Sequence, residues 1–182
     1  MAEEIGLFEA MKTMRAMRRL RPDPVPEALL WRVIEAATKA PSGGDRQPWH
    51  FVVVRQPEAK RFIQERYQAA LQRYAEAGMK AMAEGRLALS ETDLDRRLRT
   101  ARAGLYLAEH LAEVPVLLFA CVDRASAIEV AGGAGDISGI YASIYPAVQN
   151  ILLACRGLGL GAVLTTLHLL YEDEIKTRLS IP

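Results

Sequence analysis

A cluster of arginines near the N-terminus is the first set of side chains that could bind a ligand. The segment MRAMRRLRPDPVP contains Arg15, Arg18, Arg19 and Arg21. Such a cluster is most often only a solvated surface. If the segment is helical, Arg15 and Arg18 lie three residues apart on one face, so both guanidinium groups could contact a single phosphate. That geometry would suit a mononucleotide.

A polar loop follows in the segment APSGGDRQPWHFVVV, residues 40–54. Around Pro41, Ser42 and Gly43, backbone N–H groups and a hydroxyl can be exposed, as in loops that bind anions and cofactors. Gly43 and Gly44 lack a Cβ atom and let a flat ligand approach the backbone closely. The simpler interpretation is a plain connection between a helix and a strand.

Other motifs give little support to hydrolytic or metal chemistry. GGAGDISG lacks the lysine and hydroxyl residue of a phosphate-binding P-loop, and GLGLG follows a predicted helix, the reverse of the dinucleotide fingerprint. We expect both to form turns and caps. The three histidines, His50, His110 and His168, lack metal-ligand spacing, and no serine occupies a nucleophile elbow. We therefore expect no metal site and no catalytic side chain.

The elements that must position these residues can be predicted from periodicity. Helical spacing of apolar residues predicts a helix that begins after Pro24 and Pro26 and ends near Ala40. HFVVVR and PVLLFACVD are short and rich in apolar residues, which indicates buried strands. The sequence between them, residues 57–113, predicts two helices with a mobile connector around residues 78–95 that would cover the site, and a capping box from Ser90 to Asp93.

The stretch from Ile137 to Cys155 contains no charged residue. Its serines, proline, glutamine and asparagine argue against a membrane span, so it predicts a helix buried between protein surfaces. Apolar residues on more than one face indicate that a second copy covers part of it. GAVLTT predicts a third strand, and a final helix should begin near Tyr171. The order of elements predicts one domain over residues 1–182, of the α+β or α/β class.

Composition narrows the function classes. Lys and Arg number 23 against 22 Asp and Glu, so the net charge of +1 provides no broad field to attract nucleic acid or a membrane. Cys121 and Cys155 lie in apolar runs, which favours buried free thiols over a disulfide. The N-terminus has no signal-peptide pattern. Together these features predict a cytoplasmic protein whose partners include neither nucleic acid nor a membrane.

Three motifs carry a resemblance to a known family. MRAMRRLRPDPVP, APSGGDRQPWHFVVV and YPAVQNILLACRGLGLGAVLTT, in this order and at this spacing, resemble the nitroreductase family of FMN-dependent oxidoreductases. The resemblance covers essentially the whole chain, from Phe8 to Pro182. It implies an α+β fold, a three-layer α/β/α sandwich with a central mixed sheet. It also implies an intertwined homodimer with FMN at the subunit interface.

The first motif implies how the cofactor phosphate is bound. In the family, an Arg-Arg-Ser-x-Arg segment holds the FMN phosphate and ribityl chain, and its second and last arginines correspond to Arg15 and Arg18. Met14 replaces the first arginine and Ala16 replaces the serine, so two usual contacts are missing. Arg19 is then a candidate additional ligand of the phosphate.

The other motifs imply contacts with the rest of FMN. By resemblance, Pro41, Ser42, Gly43 and Asp45 line the ribityl chain and the isoalloxazine, with Asp45 in place of the usual asparagine. This replacement removes a donor, because an ionised carboxylate only accepts hydrogen bonds. The strand end Leu164, Thr165 and Thr166 should lie beside the flavin ring. Family chains continue beyond the position of Pro182, so we expect their C-terminal strand and extension to be absent here.

The resemblance implies a reaction carried by the flavin. NAD(P)H would give hydride to flavin N5 and leave, and a nitroaromatic or quinone would then take the electrons, in a ping-pong cycle. Two alternatives stay open: an FMN enzyme with another reductive reaction, such as dehalogenation, and a non-catalytic flavin-binding protein.

Overall fold

The computed structural model describes residues 5–86, 90–123 and 138–182. Short 3-10 turns span Gly43–Asp45, Ser138–Ile140 and Leu167–Tyr171. The α-helices of the described residues are α1 (Leu7–Thr13), α2 (Glu27–Ala37), α3 (Pro57–Ala83), α4 (Glu91–His110), α5 (Tyr141–Gly157) and α6 (Glu172–Leu179). The strands are β1 (Trp49–Val54) and β2 (Leu117–Val122).

The chain divides into two compact units, described separately below. The first lies within Met1–Met17, Asp23–Val54 and Val116–Leu164, and the second within Arg18–Pro22, Arg55–Pro115 and Thr165–Pro182. The expectation of a single domain over residues 1–182 stays a prediction.

The first unit is built on an antiparallel pair of strands. β1 and β2 pair from Trp49 opposite Val122 to Val54 opposite Leu117. Both strands fall where the β-branched and apolar runs predict them. Side chains alternate between the two faces of a strand, so Trp49, Phe51, Ala120 and Val122 share one face.

Helices α2 and α5 cover that face. Six buried residues form the core cluster: Ala37, Ala40, Trp49, Ile144, Ala147 and Val148. Trp49 of the shared strand face belongs to this cluster, and Phe51, Ala120 and Val122 pack against it. The α5 residues recur at helical spacing, which is why the uncharged stretch folds with one side inward. The side-chain amide of Asn150 donates to the Ala36 carbonyl at 3.0 Å and ties α5 to the end of α2.

Helix α5 ends as the glycine-rich pattern GLGLG predicts. Gly159 adopts φ +74°, a left-handed conformation that costs glycine little. The N–H of Leu160 donates to the Cys155 carbonyl at 2.8 Å, and that of Gly159 donates to the Arg156 carbonyl at 3.3 Å. This pair of bonds is a Schellman cap, which stops the helix and satisfies its last carbonyls.

The second unit is built around α3. Buried residues recur along its first half at one-turn spacing: Ala59, Lys60, Ile63, Tyr67 and Ala70. α3 packs against α4, against the 3-10 turn Leu167–Tyr171 and against α6. The predicted N-cap of α4 at Ser90 is confirmed, because Ser90 Oγ accepts from the Asp93 N–H at 3.1 Å. The second bond to Asp93 comes from the Ser90 hydroxyl, which donates to the carboxylate at 2.8 Å, whereas a capping box uses the backbone N–H.

Two elements of the structure differ from those predicted from the sequence. α3 continues through Gly78 to Ala83 and is capped at Gly85, φ +68°, so the predicted break at Gly78 is wrong. Good helix formers on both sides of Gly78 outweigh the cost of one glycine. Residues 161–166 form no strand, and the prediction from GAVLTT is wrong. In the described part of the chain, one long-range backbone hydrogen bond, from the Met17 N–H to the Ala162 carbonyl at 2.9 Å, is present there instead of a ladder.

The α+β class is confirmed, with helices predominating and the described strands paired antiparallel. The predicted turn GGAGDISG lies largely outside the described residues. Among the helices described, none combines the length and the hydropathy needed to cross a bilayer.

Candidate functional site

The loop between α2 and β1 is held in shape by its own hydrogen bonds. Ser42 Oγ accepts from the Gln47 N–H at 2.9 Å, and the Ser42 carbonyl accepts from the Asp45 N–H at 3.0 Å. The Gly43 carbonyl accepts from the Arg46 N–H at 3.3 Å. These bonds close residues 42–47 into a compact turn, named here the glycine loop. Because the Ser42 oxygen is the acceptor, its hydroxyl proton remains to be donated outward.

The glycine loop contains an unusual density of left-handed backbone. Gly44 has φ +60°, Asp45 has φ +53° and Gln47 has φ +51°. Glycine adopts this conformation freely, whereas the two residues with side chains adopt it at a cost of order 1 kcal/mol each. The Gln47 side-chain amide donates to Asp45 Oδ1 at 3.3 Å, which satisfies the carboxylate locally. A conformation of this kind persists only when surrounding contacts fix it.

One of those contacts comes from a distant helix. The Gly43 N–H donates to Ser143 Oγ of α5 at 3.1 Å, across 100 positions of sequence. Ser143 is buried, with 5% of its surface exposed. The expectation that the Gly43 N–H is exposed for a ligand is therefore wrong. The signal was absent from the local sequence, since a serine inside an apolar helix gives no indication of its partner.

The loop is also fixed at both ends by the hydrophobic core. Ala40 precedes it and Trp49 follows it, and both lie in the core cluster with Ile144 and Val148. The prediction that Trp49 anchors the strand behind the loop is confirmed. Pro41, Gly43 and Asp45 are themselves exposed and Ser42 is half-buried, so the loop presents a polar surface on a rigid base.

The arginine segment is not helical. α1 ends at Thr13, and Met14 has φ −60° and ψ 133°, so Arg15 and Arg18 do not share a helix face and that prediction is wrong. Arg15 Nη1 donates to the carbonyls of Lys12 at 2.9 Å and Met14 at 2.7 Å, where it caps the end of α1. Basic groups are favoured there by the free carbonyls and the helix dipole.

Part of this segment lies beside the end of the third motif. The Met17 N–H donates to the Ala162 carbonyl at 2.9 Å. Arg15 and Ala16 directly precede Met17, and Leu164 is two residues after Ala162; all of these residues belong to the first unit. Arg15, Ala16 and Leu164 are exposed. Among the described residues, one backbone hydrogen bond thus links the segment that contains Arg15 to the segment that contains Leu164.

A further contact in this region was missed from the sequence. Arg156, near the end of α5, donates from Nε to Thr13 Oγ1 at 2.9 Å, and Thr13 in turn donates to the Glu9 carbonyl at 2.6 Å. These two consecutive hydrogen bonds connect α1 to α5. The available signal was the first charged residue after a long uncharged run, which must find a polar partner when half-buried.

The remaining predicted site residues belong to the second unit. Within the described residues Arg18 is half-buried and makes no hydrogen bond or ion pair, whereas the Arg19 guanidinium lies 4.4 Å from the Tyr106 ring centroid. Thr165 Oγ1 donates to the Tyr67 hydroxyl at 3.3 Å, and Thr166 is exposed. Thr165 is therefore held by α3 and is not a freely presented hydroxyl.

Two titratable groups are perturbed by burial. Burial raises the pKa of the Cys155 thiol to about 11, so it stays protonated and is a poor nucleophile at neutral pH. Burial also lowers the pKa of His168, and the negative charge of Glu172 opposes that effect. In the part of the chain that is described, no group of three or more His, Cys, Asp or Glu residues is placed to hold a metal ion.

Solved structures share this fold over nearly the whole chain. Iodotyrosine deiodinase bound to FMN and 3-iodo-L-tyrosine matches with a TM-score of 0.72 and 22% identity, covering 97% of this chain and 82% of that one. The FMN-dependent nitroreductase NfnB of Mycobacterium smegmatis in complex with NADPH matches with a TM-score of 0.61 and 23% identity, covering 97% and 83%. The fold is therefore the nitroreductase-like α+β fold.

Sequence comparison defines the family. The family model described as the nitroreductase family matches residues 11–182. Nitroreductase NfnB of Mycolicibacterium smegmatis is 31% identical over 191 aligned positions, covering 94% of this chain and 75% of that protein. A NADH dehydrogenase of Thermus thermophilus is 55% identical over 51 residues, 28% of this chain and 25% of that protein. The chain belongs to the nitroreductase family.

Proposed function

We propose that the protein is an FMN-dependent oxidoreductase that takes reducing equivalents from NAD(P)H and passes them to a small acceptor, such as a nitroaromatic or a quinone, in a ping-pong cycle. The observation that carries this proposal is the glycine loop in a chain of the nitroreductase family: a rigid polar turn with a hydroxyl at Ser42 and no Cβ atom at Gly43 or Gly44. FMN, when bound, supplies the hydride and electron transfer.

The glycine loop fits the ribityl chain and the ring of FMN. Ser42 keeps a proton to donate, and a Cβ added at Gly44 would meet only the Arg46 side chain, at 3.8 Å, so the backbone there is open to a flat ligand. The loop is fixed before any ligand arrives, which spares the entropy of ordering it on binding. Asp45, occupied by Gln47, offers acceptors only, and we assign it no donor role.

The arginines fit a phosphate. Arg18 has no hydrogen-bonding partner within the described residues, and its fork of donors suits phosphate oxygens. Arg15 Nη1 donates to the carbonyls of Lys12 and Met14, which fixes the guanidinium and leaves Nε and Nη2 as further donors. Arg19, over Tyr106, is the auxiliary candidate. On the family motif, we propose these three arginines as phosphate ligands and Ala16 as a further cofactor-binding residue of the same sequence segment.

We further propose a homodimer in which α5 contributes to the interface. Ile144 and Val148 point into the core, whereas Tyr141 and Tyr145 are 53% and 48% exposed with ring centroids 5.8 Å apart. A pair of exposed tyrosines on the uncharged part of α5 is typical of the apolar centre of an interface. Cys121 and Cys155 form no disulfide within the described residues, in keeping with the cytoplasm as the proposed location.

Reductive dehalogenation is the second candidate. Iodotyrosine deiodinase 1 of Rattus norvegicus is 41% identical over 58 residues, 32% of this chain and 20% of that protein, and a deiodinase gives the fold match described above. The two candidates share the cofactor and differ in the acceptor. Assays with both acceptor classes therefore separate them.

The test is a cofactor and turnover assay on the purified protein. We expect a yellow protein that releases FMN, and not FAD, on denaturation, as identified by chromatography. Anaerobic addition of NADH or NADPH should bleach the flavin absorbance, and a nitroaromatic or quinone should restore it. Restoration by 3-iodotyrosine alone, with release of iodide, would favour dehalogenation. A protein that binds FMN without bleaching would be a flavin-binding protein, and one that binds no FMN would refute the proposal.

A further inference from the structure

The strained backbone of the glycine loop needs support from outside the loop. Three of its residues have φ between +51° and +60°, and the bonds among its own atoms close the turn but do not fix it to the fold. The Gly43 N–H bond to Ser143 Oγ supplies a link from the middle of the loop to α5. Ala40 and Trp49 hold only its ends.

Ser143 is well suited to be a fixed acceptor. It is 5% exposed, and its neighbour Ile144 and the residue one turn on, Ala147, both lie in the core cluster. Its backbone is therefore held by packing that does not depend on the loop. A Cβ built on Gly43 would lie 3.8 Å from Ser143 Oγ, an ordinary van der Waals distance, so the loop backbone packs directly beside the helix at this point.

We infer that Ser143 is a positioning residue for the cofactor: its hydroxyl holds the glycine loop in the conformation that binds FMN. It acts through Gly43 and not by contact with FMN. This inference rests on the proposed function, because it assigns the loop to the cofactor. It also makes α5 the element on which the loop conformation depends. Ser143 lies between Tyr141 and Tyr145, so the helix proposed to form the dimer also supports the loop.

The experiment compares FMN affinity among variants of the full chain. Ser143→Ala removes the acceptor, and Ser143→Cys replaces oxygen with a weak acceptor of similar size. Ser143→Thr keeps a hydroxyl and is the conservative rescue. The matched control is Asn150→Ala, which removes another α5 hydrogen bond, the one to the Ala36 carbonyl, outside the loop. Thermal unfolding of each apo protein measures general stability.

We expect Ser143→Ala and Ser143→Cys to raise the Kd for FMN about two- to twelvefold, the range for one net hydrogen bond. Ser143→Thr should bind as the unaltered chain does, and Asn150→Ala should lower the unfolding temperature without changing the Kd. If Ser143→Ala fails to fold, Ser143→Cys carries the comparison. Unchanged affinity in the folded Ser143 variants, or equal loss in Asn150→Ala, overturns the inference.

A spectroscopic measurement on the apo protein separates this inference from the proposed function. In a Trp31→Phe background the remaining tryptophan is Trp49, at the end of the loop. Ser143→Ala should change the emission or the quenching of Trp49 without any flavin, and Ser143→Thr should not. No change in Trp49 overturns the positioning role even if FMN binds. Absence of FMN binding in the unaltered chain, with the Trp49 change present, refutes the cofactor assignment alone.

Discussion

Replacement of Arg18 tests how the proposed cofactor site binds a phosphate. Arg18 is half-buried and has no hydrogen-bonding partner in the described residues, so Arg18→Ala removes no hydrogen bond or ion pair among them. Arg15→Ala would be less clean, because it also frees the Lys12 and Met14 carbonyls. Any loss of FMN affinity in Arg18→Ala is therefore a loss of ligand contact.

The expected change in the Kd for FMN follows from the chemistry of the proposed bond between the Arg18 guanidinium and the phosphate. A hydrogen bond to a charged group contributes about 1.5–3 kcal/mol, which corresponds to about tenfold to 150-fold in Kd. The half-buried position of Arg18 leaves solvent screening, so we expect a loss in the lower half of that range. Arg21→Ala, at an exposed position of the same segment, should change the Kd less than threefold, as is typical of a surface charge.

Isothermal titration of apo protein with FMN and with riboflavin gives the decisive comparison. Riboflavin lacks the phosphate, so Arg18→Ala should weaken FMN binding and leave riboflavin binding unchanged. The difference should shrink as salt concentration rises. An equal loss for both ligands, or an equal loss in Arg21→Ala, would refute the assignment of Arg18 to the phosphate.

Three shorter predictions follow from the described contacts. Tyr145→Glu should yield monomers in sedimentation with the fold intact, since Tyr145 is exposed beside a packed face, whereas a dimer of unchanged stability would exclude α5 from the interface. Burial raises the pKa of the Cys155 thiol to about 11, so the unfolded thiol ionises at a lower pH than the folded one. The free energy of unfolding should therefore fall by at most about 3 kcal/mol as pH rises from about 9 to 11. Urea titrations of Cys155→Ser should lose this pH dependence. Lys60→Met should cost about 1.5–3 kcal/mol in urea unfolding, since buried Lys60 Nζ donates to the Val114 carbonyl at 2.8 Å, and a neutral outcome would show that the bond contributes nothing net.

Local sequence was sufficient for most of the regular elements and for the position of the loop, but not for the strand at GAVLTT or the continuity of α3 at Gly78. Periodicity placed α2, α5 and both strands, the Ser90 pattern placed the start of α4, and glycines marked the ends of α3 and α5. These features depend on side chains within a few residues of one another, where capping and amphipathic spacing decide the structure. Resemblance to the family added the residues of the proposed site, which no periodicity reveals.

Only the tertiary structure decided what those residues contact. The Gly43 N–H, expected to be exposed, bonds to Ser143, and Arg15, expected on a helix face, caps α1 instead. GAVLTT forms no strand, because a strand requires a partner ladder and, among the described residues, the one long-range backbone bond there runs from the Met17 N–H to the Ala162 carbonyl. In each case the deciding partner lies far along the chain or depends on where a helix ends. A hydrogen bond is satisfied by whichever group the fold brings within reach, and sequence spacing alone does not specify that group.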